Sequence, residues 1–287
     1  MFFATGFMAN FAIFSTLPQR GDLVVHDVLI HASVHDGLRN GRADHVAARH
    51  NDAGAVEDAI KRWRVGGGVG RPWIAVESLY SMDGDLAPLD DLVAIATRHD
   101  AMLVIDEAHA TGVYGPEGRG LAAHHEGARN VIALHTCGKA LGAAGGLVCA
   151  PRVVADYLVN RGRSFVFTTA PPPLQAATVR AALALCRTHP DRRERLAALV
   201  GEAGRVLTQN GLRPSGTHIL PVIVGSDARA VALAQAMQRH GCDIRAIRPP
   251  TVPEGTARLR IALTLNTDVA TVRAMIGTLA DEHRRLA

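Results

Sequence analysis

Short apolar runs alternate with amphipathic stretches along residues 1–170. Trp73–Glu77, Ala101–Ile105 and Val131–Leu134 have the length and the apolar composition of strands buried on both faces. Between the first two, the segment from Pro88 to about His99 has its apolar positions at helical spacing and two aspartates in its first turn. This alternation predicts an α/β domain with a mostly parallel sheet and helices on both faces.

A second domain is predicted after the run Pro171–Pro173 and the helical stretch that follows it to about Arg187. Downstream, the pattern predicts helices at about 191–209, 228–240 and 268–286 and strands at Ile219–Val224, Asp243–Ile247 and Arg258–Leu263. We therefore predict a large domain over residues 1–187 and a small α+β domain over residues 188–287.

The composition excludes several classes of protein. The net charge of +4 comes from scattered basic residues with 4% aromatics, which argues against a nucleic-acid interface. The four cysteines form no C-x-x-C pair, so we expect neither a metal site nor a disulfide framework, and a reducing cytoplasm fits. The apolar start Met1–Phe14 has no basic residue before Arg20, so we interpret it as buried structure rather than a signal peptide. No run has the length of a membrane span.

The 31 basic residues include only two lysines, Lys61 and Lys139, so chemistry that needs a side-chain amine has two candidates. Lys61 lies on a charged helical face, where a solvated side chain is expected. Lys139 directly follows a predicted strand in a stretch of small residues that would let a planar group approach the backbone. The alternative for Lys139 is a surface lysine in a glycine-rich loop.

Polar residues follow the predicted strands at the edge where parallel sheets bind ligands. Asp106 ends a buried strand, and a carboxylate there needs a cationic partner such as a protonated pyridine nitrogen. His109 could hydrogen-bond the phenolic oxygen of the same ring. A capping aspartate and a structural histidine are the alternatives, but their position beside Lys139 favours a pyridoxal 5′-phosphate (PLP) site. Thr5-Gly6-Phe7 precedes an apolar helix, whose N-terminus suits a phosphate, although the motif taken alone favours an ordinary helix start.

The stretch from Glu77 to Gly146 resembles the α-oxoamine synthases, PLP enzymes that condense an amino acid with an acyl thioester and release carbon dioxide. The motifs that carry the resemblance are Ser-Met-Asp-Gly-Asp (81–85), Asp-Glu-Ala-His-Ala-Thr-Gly (106–112), Gly-Pro-Glu-Gly-Arg-Gly (115–120) and Thr-Cys-Gly-Lys-Ala-Leu-Gly (136–142). The resemblance implies the type I fold of PLP enzymes, which is aspartate-aminotransferase-like. Residues 247–260 are most similar to members that join L-alanine to a pimeloyl thioester in biotin biosynthesis.

The resemblance also implies roles for individual residues. Lys139 would carry the cofactor as a Schiff base and then move protons, Asp106 would pair with the pyridine nitrogen, and His31 would stack on the ring. The remaining cofactor contacts implied by the family are His109 and Ser81 at the ring oxygen, Gly6, Phe7 and Thr136 at the phosphate, and Thr168 and Thr169 at the phosphate of a dimer partner.

For the substrate, the resemblance implies contacts from His31, Thr251 and an arginine. We choose Arg260 for the alanine carboxylate because a guanidinium can hold it bidentately, with Arg258 on the same strand face as the alternative. The expected partners are L-alanine, pimeloyl-CoA or a pimeloyl carrier protein, and a second copy of the chain in a homodimer with shared active sites.

Several alternatives stay open. A sister synthase that uses glycine or serine would share these motifs, and a non-catalytic subunit of the fold would be expected to lack Lys139. Family members also begin well upstream of Met1, with a segment that helps to close the active site. The chain is therefore expected to be a fragment, to have a start placed too late, or to be a shortened protein with little activity.

Overall fold

The apolar runs of the first part of the chain form seven strands in the computed structural model, which describes residues 1–286. The strands are β1 (Phe2–Phe3), β2 (Leu23–Asp27), β3 (Asp44–Ala48), β4 (Pro72–Glu77), β5 (Met102–Asp106), β6 (Val131–Thr136) and β7 (Gly146–Cys149). Their order across the sheet is β1–β7–β6–β5–β4–β2–β3. The pairs from β6 to β3 are parallel, and β7 runs antiparallel to β6 and β1. The mostly parallel sheet that the sequence predicts is confirmed.

Helices cover both faces of this sheet. They are α1 (Gly6–Thr16), α2 (Ala32–Arg39), α3 (Ala53–Val65), α4 (Leu89–Arg98), α5 (Arg152–Arg161), α6 (Arg163–Val166) and α7 (Pro173–Thr188), with a short 3-10 helix at Pro116–Gly118. Successive strand residues point to opposite faces. Val24 and Val104 accordingly pack with α1 and α2, whereas Val25 and Ile105 pack with α3 and α4. Burial on both faces explains why these strands are continuously apolar.

The second part of the chain contains a three-stranded antiparallel sheet with three helices. Its elements are α8 (Pro190–Gln209), β8 (Ile219–Gly225), α9 (Asp227–Arg239), β9 (Arg245–Ile247), β10 (Ala257–Ala262) and α10 (Val269–Arg285), with the strand order β8–β10–β9. A separate apolar core joins the sheet to the helices, and Leu220, Met237 and Ile276 are among its most deeply buried members. The elements lie within about two residues of the predicted bounds.

The contacts within the chain divide it into two compact units. The first comprises Met1–Tyr80 and Leu86–His189, and the second begins at Pro190 and also includes Ser81–Asp85. The sequence predicts one domain over residues 1–187, whereas the structure assigns the turn Ser81–Asp85 to the second unit. The Thr217 hydroxyl donates to the Gly84 carbonyl at 2.7 Å, and this long-range contact joins the turn to the second unit.

Two further observations concern the cysteines and the helices. All four cysteines are free thiols. Within residues 1–286, none of the helices combines the length and the apolar character needed to cross a bilayer.

Candidate active site

A cavity of about 230 Å³ lies at the carboxyl edge of the parallel strands in the first unit. Asp106 ends β5, Thr136 ends β6, Gly6 begins α1, and His31 precedes the first turn of α2, so the ends of four elements meet at one place. The predicted residues that line this cavity are Gly6, Phe7, His31, Asp106, His109, Thr136 and Lys139. Thr5, Asn10, Ser33, Glu77 and Ala108 complete the lining and are not among the predicted site residues.

Asp106 is fixed by hydrogen bonds to both of its carboxylate oxygens. Asn10 donates its side-chain amide to Oδ2 at 2.7 Å, and the backbone N–H of Ala108 donates to Oδ1 at 2.9 Å. Both donors lie within hydrogen-bond distance of a residue that is only 5% exposed. The carboxylate is therefore held in one orientation in the wall of the cavity.

Asn10 is not among the predicted site residues, although the hydrophobic pattern of α1 indicates that it has a specific role. It is the polar residue in the middle of the apolar run of α1, and it is 2% exposed. A buried amide requires hydrogen-bond partners, so a polar residue at an apolar helical position indicates a specific contact. The sequence could not name its partner, because Asp106 lies 96 residues further along the chain.

A chain of hydrogen bonds joins Asp106 to His31. Asn10 donates its second amide hydrogen to the Ser33 hydroxyl at 3.0 Å, and the Ser33 hydroxyl lies 2.8 Å from His31 Nδ1. The Ser33 backbone N–H also points at Nδ1, at 3.2 Å, so this nitrogen accepts and the ring is neutral. Burial lowers the pKa of His31, as does the positive charge of Lys139, while Asp106 acts in the opposite direction. A neutral imidazole held in this way suits stacking on an aromatic ring.

Lys139 lies in the tight loop between β6 and β7. The loop is closed by backbone hydrogen bonds from Cys137 to Gly145 at 2.9 Å and from Gly142 to Lys139 at 3.0 Å. Gly142 and Gly145 have φ values of +60° and +129°, which only glycine adopts readily. The Lys139 amine, at the cavity, is 2.8 Å from His109 Nε2. Lys61, by contrast, pairs with Glu57 at 3.0 Å on the surface of α3.

The start of α1 provides the features of an anion site. Thr5 caps the helix by accepting a hydrogen bond from the Met8 N–H at 3.1 Å, and the first N–H groups of a helix have no partner within it. A side chain at Gly6 would collide with the Thr136 hydroxyl, so only glycine allows β6 and α1 to approach this closely. The helix dipole and these N–H groups together favour a phosphate.

The residue types of the cavity fit PLP. A primary amine, a buried carboxylate, two imidazoles and a helix N-terminus surround one space, and each corresponds to a functional group of that cofactor.

The other predicted site residues lie elsewhere. Thr168 and Thr169 are exposed in the segment after α6 and do not line the cavity. Ser81, Thr251 and Arg260 belong to the second unit. There, Arg260 Nε donates to the Ser81 carbonyl, while the side chain of Arg258 is 3% exposed and forms an ion pair with Asp83. The roles implied for these residues stay predictions.

Comparison with known proteins gives a consistent result. The family described as aminotransferase class I and II matches residues 1–279. An 8-amino-7-oxononanoate synthase from Chromobacterium violaceum is 43% identical over 278 residues, which cover 96% of this chain and 71% of the relative. The enzyme of that name from Burkholderia thailandensis is 42% identical over 268 residues, covering 92% of this chain and 67% of the relative.

Solved structures show the same fold. A serine palmitoyltransferase from S. paucimobilis, with a bound PLP–myriocin adduct, matches with a TM-score of 0.91 at 30% identity over 100% of this chain and 72% of that one. An 8-amino-7-oxononanoate synthase from Francisella tularensis matches with a TM-score of 0.85 at 27% identity, over 99% of this chain and 82% of that one. The chain therefore belongs to the class I and II aminotransferase family of PLP-dependent enzymes, among the relatives of 8-amino-7-oxononanoate synthase.

Proposed function

We propose that the chain catalyses the decarboxylating condensation of L-alanine with a pimeloyl thioester to give 8-amino-7-oxononanoate. The observation that carries the proposal is the placement of Lys139, Asp106 and His109 around one cavity that the N-terminus of α1 also lines. The relatives at 42–43% identity support the choice of reaction within the family.

The cofactor supplies an electron sink that stabilises negative charge at the α-carbon of the amino acid. Lys139 would bind it covalently through Nζ and, once displaced by alanine, take the proton from the α-carbon and later return one. His109, 2.8 Å from that amine, orients it and can hydrogen-bond the ring oxygen. Asp106 would keep the pyridine nitrogen protonated, and His31 would cover one face of the ring.

Two arginines on β10, Arg258 and Arg260, are the candidates for binding the carboxylate of alanine, and their surroundings distinguish them. Arg258 is buried, pairs with Asp83, and also donates Nε to the Thr256 carbonyl at 3.0 Å. Its guanidinium therefore already binds a carboxylate of this chain, in the turn Ser81–Asp85. Arg260 is more exposed on the same strand and is the better candidate for the substrate.

This assignment predicts opposite effects for two matched variants. We expect Arg260→Gln to weaken alanine binding by about 10- to 100-fold with little change in thermal stability, because a charge-assisted hydrogen bond is lost. Arg258→Gln should instead lower stability by about 2–4 kcal/mol, because Asp83 loses its partner. Alanine titrations followed by the visible spectrum of the holoenzyme and thermal melting measure the two quantities. A larger binding loss in Arg258→Gln than in Arg260→Gln would reverse the assignment.

A second candidate function has a specific observation in its favour. The serine palmitoyltransferase structure matches this chain with a TM-score of 0.91, so a synthase that uses serine, or one that uses glycine, is the alternative. We expect L-alanine to change the visible spectrum of the holoenzyme at lower concentrations than glycine or serine. A stronger response to serine or glycine would move the assignment to a sister synthase, and product analysis by mass spectrometry with pimeloyl-CoA would identify the amino ketone formed.

We further propose a cytoplasmic homodimer in which each active site is shared. Thr168 and Thr169 are exposed in the first unit, where they could reach the phosphate of a partner subunit. The acyl group would be delivered by coenzyme A or by a carrier protein. Sedimentation of the holoenzyme tests the assembly, and parallel assays with the two thioesters distinguish the carriers.

A further inference from the structure

A second cavity in the first unit has a volume of about 440 Å³ and shares no lining residue with the cofactor cavity. It lies between β6, β7, the segment around the short 3-10 helix and one face of α7. Because neighbouring strand residues point to opposite faces, His135 lines this cavity while the next residue, Thr136, lines the cofactor cavity. The proposed function uses none of its side chains.

The cavity contains an accessible thiol. Cys149 ends β7 and is exposed. His135 pairs in register with Leu147, two residues before Cys149, so all three side chains lie on one face of the sheet. The other cysteines are less accessible. Cys137 is buried, and burial raises its pKa to about 11, while Cys186 and Cys242 are partly covered.

His135 carries a positive charge at neutral pH. Its Nε2 lies 2.8 Å from a Glu126 carboxylate oxygen, which can only accept when ionised. Its Nδ1 lies 2.8 Å from the Thr111 hydroxyl, whose own hydrogen is donated to the Glu107 carbonyl at 2.8 Å. Both ring nitrogens must therefore carry hydrogens. Consistent with this, hydrogen bonds to Cys149 and Glu126 outweigh the opposing effect of burial and raise the pKa of His135 to about 10.

Three arginines add to the positive charge. Arg119 pairs with Glu126 at 2.9 Å, and Arg180 and Arg187 lie seven residues apart on the face of α7 that lines the cavity. Together with His135, these four cations face two carboxylates, Glu117 and Glu126, among the lining residues described. An excess of positive charge around the thiol attracts anionic reagents to it.

We propose that Cys149 is a thiol–disulfide exchange site for small anionic disulfides. The thiolate sulfur of Cys149, its proton released to solvent, attacks one sulfur of the disulfide, so that a new S–S bond forms as the old one breaks. The other half of the reagent leaves as a thiolate with the bonding electron pair. The disulfide itself is the oxidant, and the product is a mixed disulfide whose anionic group lies among Arg119, Arg180 and Arg187.

The experiment compares two reagents on the full chain loaded with PLP. One is 5,5′-dithiobis(2-nitrobenzoate), which carries a carboxylate on each half, and the other is the neutral 2-hydroxyethyl disulfide. Mass spectrometry of peptides after partial reaction should show Cys149 modified first, about tenfold faster than Cys186 or Cys242. The Cys149→Ser variant should lose this fast reaction with both reagents.

Charge variants test the role of the arginines. In the double variant Arg180→Gln/Arg187→Gln, the ratio of the anionic to the neutral reaction rate should fall about fivefold, since the neutral reagent gains nothing from the cations. Arg161→Gln, an exposed arginine at the end of α5, is the matched control and should leave the ratio unchanged. The proposal is overturned if Cys186 or Cys242 reacts first. It is also overturned if the double variant has the same ratio of anionic to neutral reaction rates as the wild-type protein.

Discussion

A Lys139→Ala variant is expected to lose all covalent attachment of PLP and to lower turnover by at least about 10³-fold. Lys139 is one of only two lysines in the chain, and its amine lies at the cavity formed by Asp106, His31 and the start of α1. Alanine at this position removes both the attachment point and the group proposed to move the α-proton. Borohydride reduction followed by peptide mass spectrometry measures the attachment directly.

The other lysine provides the control for this experiment. Lys61→Ala removes an exposed side chain that pairs with Glu57 on α3, and it should leave labelling and turnover unchanged. Covalent labelling that persists in Lys139→Ala, or that maps to the Lys61 peptide in the unchanged protein, would contradict the assignment.

Asp106→Asn is expected to reduce turnover by about 10²- to 10³-fold while changing the affinity for alanine only a few-fold. A neutral amide cannot stabilise a protonated pyridine, so the loss falls on the reaction barrier rather than on substrate binding. The structure adds a second effect. Both oxygens of Asp106 accept hydrogen bonds from N–H donors. In an asparagine, one of these oxygens is replaced by an NH₂ group, which would face the N–H of either Asn10 or Ala108 and could not accept its hydrogen bond.

Two further variants separate these effects. Asn10→Ala keeps the carboxylate but removes the link from Asp106 through Ser33 to His31, so it should reduce turnover less than Asp106→Asn and disturb the cofactor spectrum. Asp91→Asn, on the exposed face of α4, should have no effect and serves as the matched control. Single-turnover kinetics and alanine titrations of each holoenzyme give the required comparison. Equal losses of affinity and turnover in Asp106→Asn would refute the proposed role.

The sequence by itself determined three central strands of the large sheet, the elements of the second unit, and the placing of Asp106, Thr136 and Lys139 at one edge of the large sheet. Strands such as Met102–Asp106 are buried on both faces, so their apolar runs can be recognised without knowledge of their neighbours. In a parallel sheet the carboxyl ends of such strands meet at one edge, and this rule alone places Asp106 near Thr136 and Lys139. The small number of lysines then singled out Lys139.

Only the tertiary structure decided which partners these residues have. Asn10 and Asp106, Gly84 and Thr217, and Arg258 and Asp83 are each joined across 96 to 175 residues, and no local pattern encodes such pairs. Arg258 and Arg260 look equivalent in the sequence because alternate strand residues share a face, yet only Arg258 is buried against Asp83. Hydrophobic periodicity specifies which face of an element is buried. Which polar group meets which is decided when the elements pack, because each buried polar atom must then find a partner.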